Sequence, residues 1–172
     1  MRKGKELPPF IHGGQQEREY RAGTENVASI VGFGTAAEIA NSRMESESDR
    51  LTKMGFYFID RVLSGISGVE LTGSNSLRIP GHCSFVIEGI EGEALQSLLD
   101  LKDIYVSTGS ACTSGIGMPS HVLSACGYDP ALANGMVRIT FGYGNDDDDP
   151  DVVYEALKKS VEQLRNLGNI LK

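Results

Sequence analysis

The sequence contains no tryptophan, only 7% aromatic residues and only three cysteines (Cys83, Cys112, Cys126) in 172 residues. An odd cysteine count without a CxxC pair argues against a disulfide scaffold and fits a reducing cytoplasm, where the protein is expected to reside. No apolar run approaches the roughly 18 residues that a membrane span needs. The opening MRKGKELPPF is basic but has no apolar stretch behind it, so it does not read as a secretory signal. Positive charge is in deficit: 16 Lys+Arg face 23 Asp+Glu, a formal net charge of −7. That balance argues against a nucleic-acid surface or an anionic membrane as the partner. What is present is ordinary globular usage, with 40% hydrophobic and 23% charged residues, enough for one domain with a real core.

Residues 1–25 read as an irregular arm. Pro8-Pro9 enforces extended backbone, and the polar stretch HGGQQEREYRAGTEN follows, dense in donors from Arg18, Arg21, Gln15, Gln16 and Thr24. Residues 26–172 read as one compact domain. Asn26 is placed to cap a helix running to about Met44, and a second helix is expected from Leu51 to Gly65; both apolar stripes are expected to be core. Strand patterns follow at Val69 to Thr72, Cys83 to Ile87, Ile104 to Ser107 and Met136 to Phe141. Helical patterns cover Glu93 to Leu101, a turn or two after Pro119, and the chain from Asp149-Pro150 onward. Strands and helices mix without βαβ repetition, which predicts an α+β fold: a small, mainly antiparallel sheet with helices packed on it. The run NDDDDPD (145–151) lacks EF-hand spacing and is expected to cap the last helix, not to bind metal.

Three residues stand out for chemistry. Cys112 lies in VSTGSACTSG, a Gly/Ser-rich loop spanning 107–117, where a thiol is exposed and hydroxyl-flanked like a nucleophile; Cys83, in HCSFVI, reads as buried. A phosphatase loop is excluded because the sixth residue after Cys112 is Met118 and not Arg. A Cys–His hydrolase pairing Cys112 with His121 stays open, and a zinc site of Cys112, His121 and Cys126 lacks a fourth ligand and the spacing of a common module. Arg138 alternates with Val137 and Ile139 in MVRITF, so burial of those two turns its guanidinium toward a cleft, where a carboxylate is its natural partner.

HGGQQEREYRAGTENV, RIPGHCSFVIEGIEGEAL, VSTGSACTSG, PSHVL and VRITFG occur in the order seen in cysteine desulfurases of the NifS/IscS type, and the chain resembles that family from about residue 1 to 167. The resemblance implies the C-terminal small domain of a class-V, fold-type-I, pyridoxal-phosphate-dependent enzyme, with residues 1–25 belonging to the cofactor-site region. It implies removal of sulfur from L-cysteine, leaving alanine, with Cys112 as the thiol that takes the sulfur as a persulfide. Arg138 matches the residue that grips the substrate carboxylate. Thr24 matches the hydroxyl that meets the cofactor phosphate across a homodimer. A sulfur acceptor or iron–sulfur scaffold protein is the implied partner.

One departure is large. The family's cofactor lysine lies in a His-Lys segment upstream of the HGG motif, whereas the only lysines before His12 are Lys3 and Lys5, without that context. The chain thus resembles the C-terminal part of a desulfurase and is expected not to hold the cofactor covalently by itself. A second departure is Gln15, where the family often has glycine; only a local effect is expected. The alternatives are a catalytically silent module that accepts persulfide or binds a partner, and the Cys–His hydrolase.

Overall fold

The structure, a computed structural model, describes residues 8–109 and 120–170. By internal packing the chain divides into two compact units, Met1–Met44 and Glu45–Lys172.

In the first unit the polar loop closes on itself. Ala22 donates its N–H to Ile11 O (3.2 Å) and is buried, and the Gly23 N–H donates to Gln16 Oε1 (3.1 Å). Between these contacts Gln16–Glu19 forms a tight turn in which Glu17, Arg18 and Glu19 all have positive φ (50°, 55° and 68°). Left-handed backbone costs roughly 1–2 kcal/mol per non-glycine residue, so the turn is held by the bonds around it. Gln15, at φ −84°, sits in ordinary backbone, so the side chain in place of glycine brings no strain. Asn26 caps the following helix as expected, its Oδ1 accepting from the Ser29 N–H at 3.1 Å.

That helix, α1, is continuous over Val27–Gly65, where the sequence pattern predicted two. The joining residues ESESDR contain no glycine or proline, and Glu47 and Arg50 pair across one turn at 2.9 Å, so nothing interrupts the ladder. The expectation that both stripes are core holds only for part of the second, in which Tyr57 and Leu63 are exposed. Val27, Ile30, Val31 and Phe33 are exposed, whereas Met54, Phe58, Ile59 and Val62 are buried.

In the second unit three antiparallel strands, β1 (Val69–Leu71), β2 (His82–Ile87) and β3 (Met136–Thr140), lie in the order β1-β2-β3. Cα partners Cys83↔Ile139 and Phe85↔Val137 set the register, and these side chains face the main core. Helices α2 (Gly92–Asp100) and α5 (Asp149–Ile170) and the second part of α1 cover that face with Leu95, Leu99, Tyr154, Leu157, Val161 and Phe58. Phe58 meets Phe85 and Phe141 edge-on, with centroids 6.1 and 5.2 Å away. The other face carries a smaller cluster of Val86, Leu123 and Ala133, the latter two from the short helices α3 (His121–Ala125) and α4 (Pro130–Ala133).

The fourth strand predicted over Ile104 to Ser107 reduces to one bridge. Only Ser107 pairs with β3, exchanging both backbone bonds with Arg138 (3.0 and 2.7 Å). On the side turned away from β3, the flanking Val106 carbonyl and Thr108 hydroxyl bond to Gln96 of α2. The acidic run leads into α5 with Asp149 and Asp151 in its first turn, and Asp149 Oδ2 closes the preceding loop by accepting from Asn145 Nδ2 (2.8 Å) and from the Asp146 N–H (3.1 Å). Arg50 holds the same loop through Asn145 O and Gly142 O.

Gly135 marks where α4 meets β2. A Cβ there would overlap Ile87 O, a backbone atom that cannot give way, while Ile87 N–H donates to Gly135 O at 3.0 Å. Gly135→Ala is therefore expected to cost about 3 kcal/mol, lowering the thermal midpoint by roughly 6–12 °C. A scanning-calorimetry shift below about 2 °C would show that the strand end is plastic.

Candidate functional site

Strand alternation builds the site. Because Cys83, Phe85, Val137 and Ile139 face the core, His82, Ser84, Met136 and Arg138 must face the other way. Helices α3 and α4 cover only part of that second face. A cleft of about 370 Å³ remains, lined by Arg138, Arg78, His82, Ser84, Thr72 and Cys126 among others.

The cleft is cationic. Among the described residues no aspartate or glutamate lines it, while two guanidiniums do. Arg138 is half-buried, and among the described residues its guanidinium makes no hydrogen bond or ion pair. Arg78 is committed elsewhere: Nη1 donates to Thr72 O (3.0 Å) and Ser74 O (2.6 Å), and Nε donates to His82 O (3.3 Å). Arg78 thus stitches the loop between β1 and β2, and Arg138 is left as the guanidinium with donors to spare. Directly across from it, Ser84 is buried and meets the Thr72 hydroxyl at 2.7 Å. This arrangement can bind a carboxylate or a comparable small anion.

The His82 imidazole responds to these charges. Burial first, then Arg78 and Arg138, hold its pKa below the ordinary histidine value. Removing a neighbouring positive charge relieves the penalty on the imidazolium, so Arg138→Met is expected to raise the His82 pKa. Titration of the His82 ring protons by NMR checks this. An unchanged midpoint would mean that the guanidinium does not act on His82.

The sequence-derived residues fare differently. Arg138 lines a cleft on the face expected from its alternation with Val137 and Ile139. Thr24 stands exposed on the closed loop of the first unit, between Gly23 and the capping Asn26. Cys112 lies outside the described residues, as do Lys3 and Lys5. His121 opens α3 and is exposed. Cys83 is inert in the core: burial pushes its pKa up to about 12. Cys126 is exposed and free. The sequence reading missed Arg78, His82 and Ser84. The period-2 pattern that singled out Arg138 also marks His82 and Ser84 on β2, whereas Arg78 joins the cleft only through the loop's path.

Comparison with known proteins adds to this geometry. Residues 5–153 match the aminotransferase class-V family. Cysteine desulfurase IscS of Dictyoglomus turgidum is 44% identical over 168 residues, which cover 98% of this chain and 43% of the relative. An IscS-like cysteine desulfurase of Mycobacterium tuberculosis is 42% identical over 166 residues, 96% of this chain and 42% of the relative. Among solved structures, a NifS-like protein from Rickettsia africae superposes with a TM-score of 0.77 at 27% identity, covering 92% of this chain and 41% of that one. Another NifS-like protein gives 0.76 at 34% identity over 95% of this chain and 40% of its own. The resemblance seen in the motifs is therefore borne out along nearly the whole chain. The chain spans about two fifths of the length of the curated relatives it matches.

Proposed function

The chain belongs to the class-V aminotransferase family, and we propose that it serves as the small-domain portion of a cysteine desulfurase. In this reading L-cysteine is the substrate, and its sulfur passes to Cys112 and then to an acceptor or iron–sulfur scaffold protein. The observation that carries it is the cleft, in which, among the described residues, the Arg138 guanidinium is unpaired and no acidic side chain competes for it.

The family implies pyridoxal phosphate as cofactor, and when bound it supplies the electron sink that weakens the substrate C–S bond. The described residues of the cleft do not make a covalent seat for it. The described lysines are Lys53, Lys102, Lys158 and Lys159; none of them lines the cleft, and no carboxylate there offers a partner for a ring nitrogen. The chain's own residues keep three tasks. Arg138 holds the substrate by its carboxylate, and Cys112 takes up the sulfur. Thr24 adds a hydroxyl for a phosphate, reached across a homodimer. Function in a reducing compartment keeps the Cys112 thiol available.

The test combines this chain with the lysine-bearing remainder that its longer relatives possess and supplies sulfur-labelled L-cysteine. Label on Cys112, released by dithiothreitol, with alanine formed in equal amount is the expected outcome. Alanine without labelled Cys112, or neither product, would overturn the proposal.

A further inference from the structure

We propose that Gln96 is a positioning residue that fixes the segment beside Arg138, and with it the point where the chain departs toward Cys112. The inference rests on reading Arg138 as the carboxylate grip and Cys112 as the nucleophile.

Four bonds carry it. On α2, the half-buried Gln96 donates from Nε2 to Val106 O (3.0 Å) and accepts at Oε1 from Thr108 Oγ1 (3.0 Å). One amide thus clamps both neighbours of Ser107. Ser107 in turn exchanges its backbone N–H and C=O with Arg138, at 3.0 and 2.7 Å. The residue after the clamp is Gly109, at φ 61°, which turns the chain and lines the cleft. Helix α2 is itself fixed against this assembly. Its first residue, Gly92, lies so close to Met136 O that a Cβ would overlap it, and Thr108 Cγ2 would be only 3.3 Å from that Cβ.

The clamp has a job that the backbone bridge cannot do alone. A single bridge fixes one residue and leaves rotation about the flanking dihedrals, so the direction of 108–109 would drift. Bonds to Val106 and Thr108 from one planar amide remove that rotation. The substrate carboxylate would sit on Arg138 while the thiol arrives from the chain after Gly109, so their separation depends on this exit direction.

The test uses carboxylate-directed alkylation of the full chain, followed residue by residue by mass spectrometry. Iodoacetate carries the carboxylate that Arg138 would bind, and iodoacetamide does not. At Cys112 the iodoacetate-to-iodoacetamide rate ratio is expected to exceed that of free cysteine. Arg138→Met is expected to abolish the excess. Gln96→Met, similar in size but without the amide, is expected to lower the ratio about fivefold, the worth of a clamp bond, with an unchanged iodoacetamide rate. Faster amide exchange at Ser107 should accompany it. Thr108→Val, which removes one of the two bonds, should shift the ratio the same way and serves if Gln96→Met folds poorly. A wild-type ratio retained in both variants overturns the role of Gln96 while leaving the Arg138 reading intact. If the wild type shows no excess, or Arg138→Met keeps it, the reading fails and the inference falls with it.

Discussion

Cys112→Ser is expected to abolish the transfer of sulfur from L-cysteine to this chain, by on the order of 10⁴-fold or more. The step requires a thiolate to form a bond to the substrate sulfur while the electron pair of the C–S bond leaves with carbon. A serine hydroxyl is not ionised near neutral pH and forms no stable bond to sulfur, so the variant is a clean deletion of the acceptor. The other two cysteines are not substitutes of equal standing. Cys83 is fully buried with a pKa near 12, so it stays protonated and enclosed. Cys126 is exposed and lines the Arg138 cleft, which makes it the informative control. Mass spectrometry of the labelled chain reads all three positions at once. Sulfane sulfur persisting at the wild-type level in Cys112→Ser, at Cys126 or elsewhere, would move the nucleophile and sink the assignment.

The second large effect is at Arg138. Removing the guanidinium takes away a charge-assisted, two-pronged contact, a loss of about 2–5 kcal/mol. Arg138→Met should therefore lower kcat/KM for L-cysteine in the assembled enzyme by roughly 30- to 4,000-fold. The cleft supplies no ready replacement, because Arg78 already donates to Thr72, Ser74 and His82. Cysteamine, which is cysteine without the carboxylate, separates binding from collapse. If Arg138 reads the carboxylate, the wild type favours cysteine over cysteamine and Arg138→Met treats them alike. Equal losses on both compounds would show a structural role only. Strand β3 is held by β2 through five residue pairs, so the substitution is not expected to unfold the sheet.

Much of the fold was legible. Asn26 as a cap, the strands at β1, β2 and β3, the amphipathic α2 and the acidic first turn of α5 follow from local rules, namely period, turn residues and dipole. The errors share a cause. The sequence pattern split α1 because two apolar stripes differ in composition, yet a helix ends where its backbone bonds end, and ESESDR ends nothing. The pattern also gave Ile104 to Ser107 a full ladder. Pairing is decided by which partners are within reach, and on either side of the Ser107 bridge the chain is bonded to Gln96 of α2.

By itself the sequence determined the chemical types and their order: a loop thiol, a strand arginine, a hydroxyl on a polar loop, and the family to which these motifs point. Periodicity also turned Arg138 away from the core, since alternation across a strand is a property of the backbone. Only the tertiary structure decided what stands around it. Arg78 is spent on three carbonyls only four to six residues away, but that Ser84 lies opposite, that among the described residues no carboxylate enters the cleft and that Gln96 clamps the adjoining chain depend on contacts between separate elements of the fold. Such contacts are set by how helices seat on a sheet, and a local pattern carries no record of that seating.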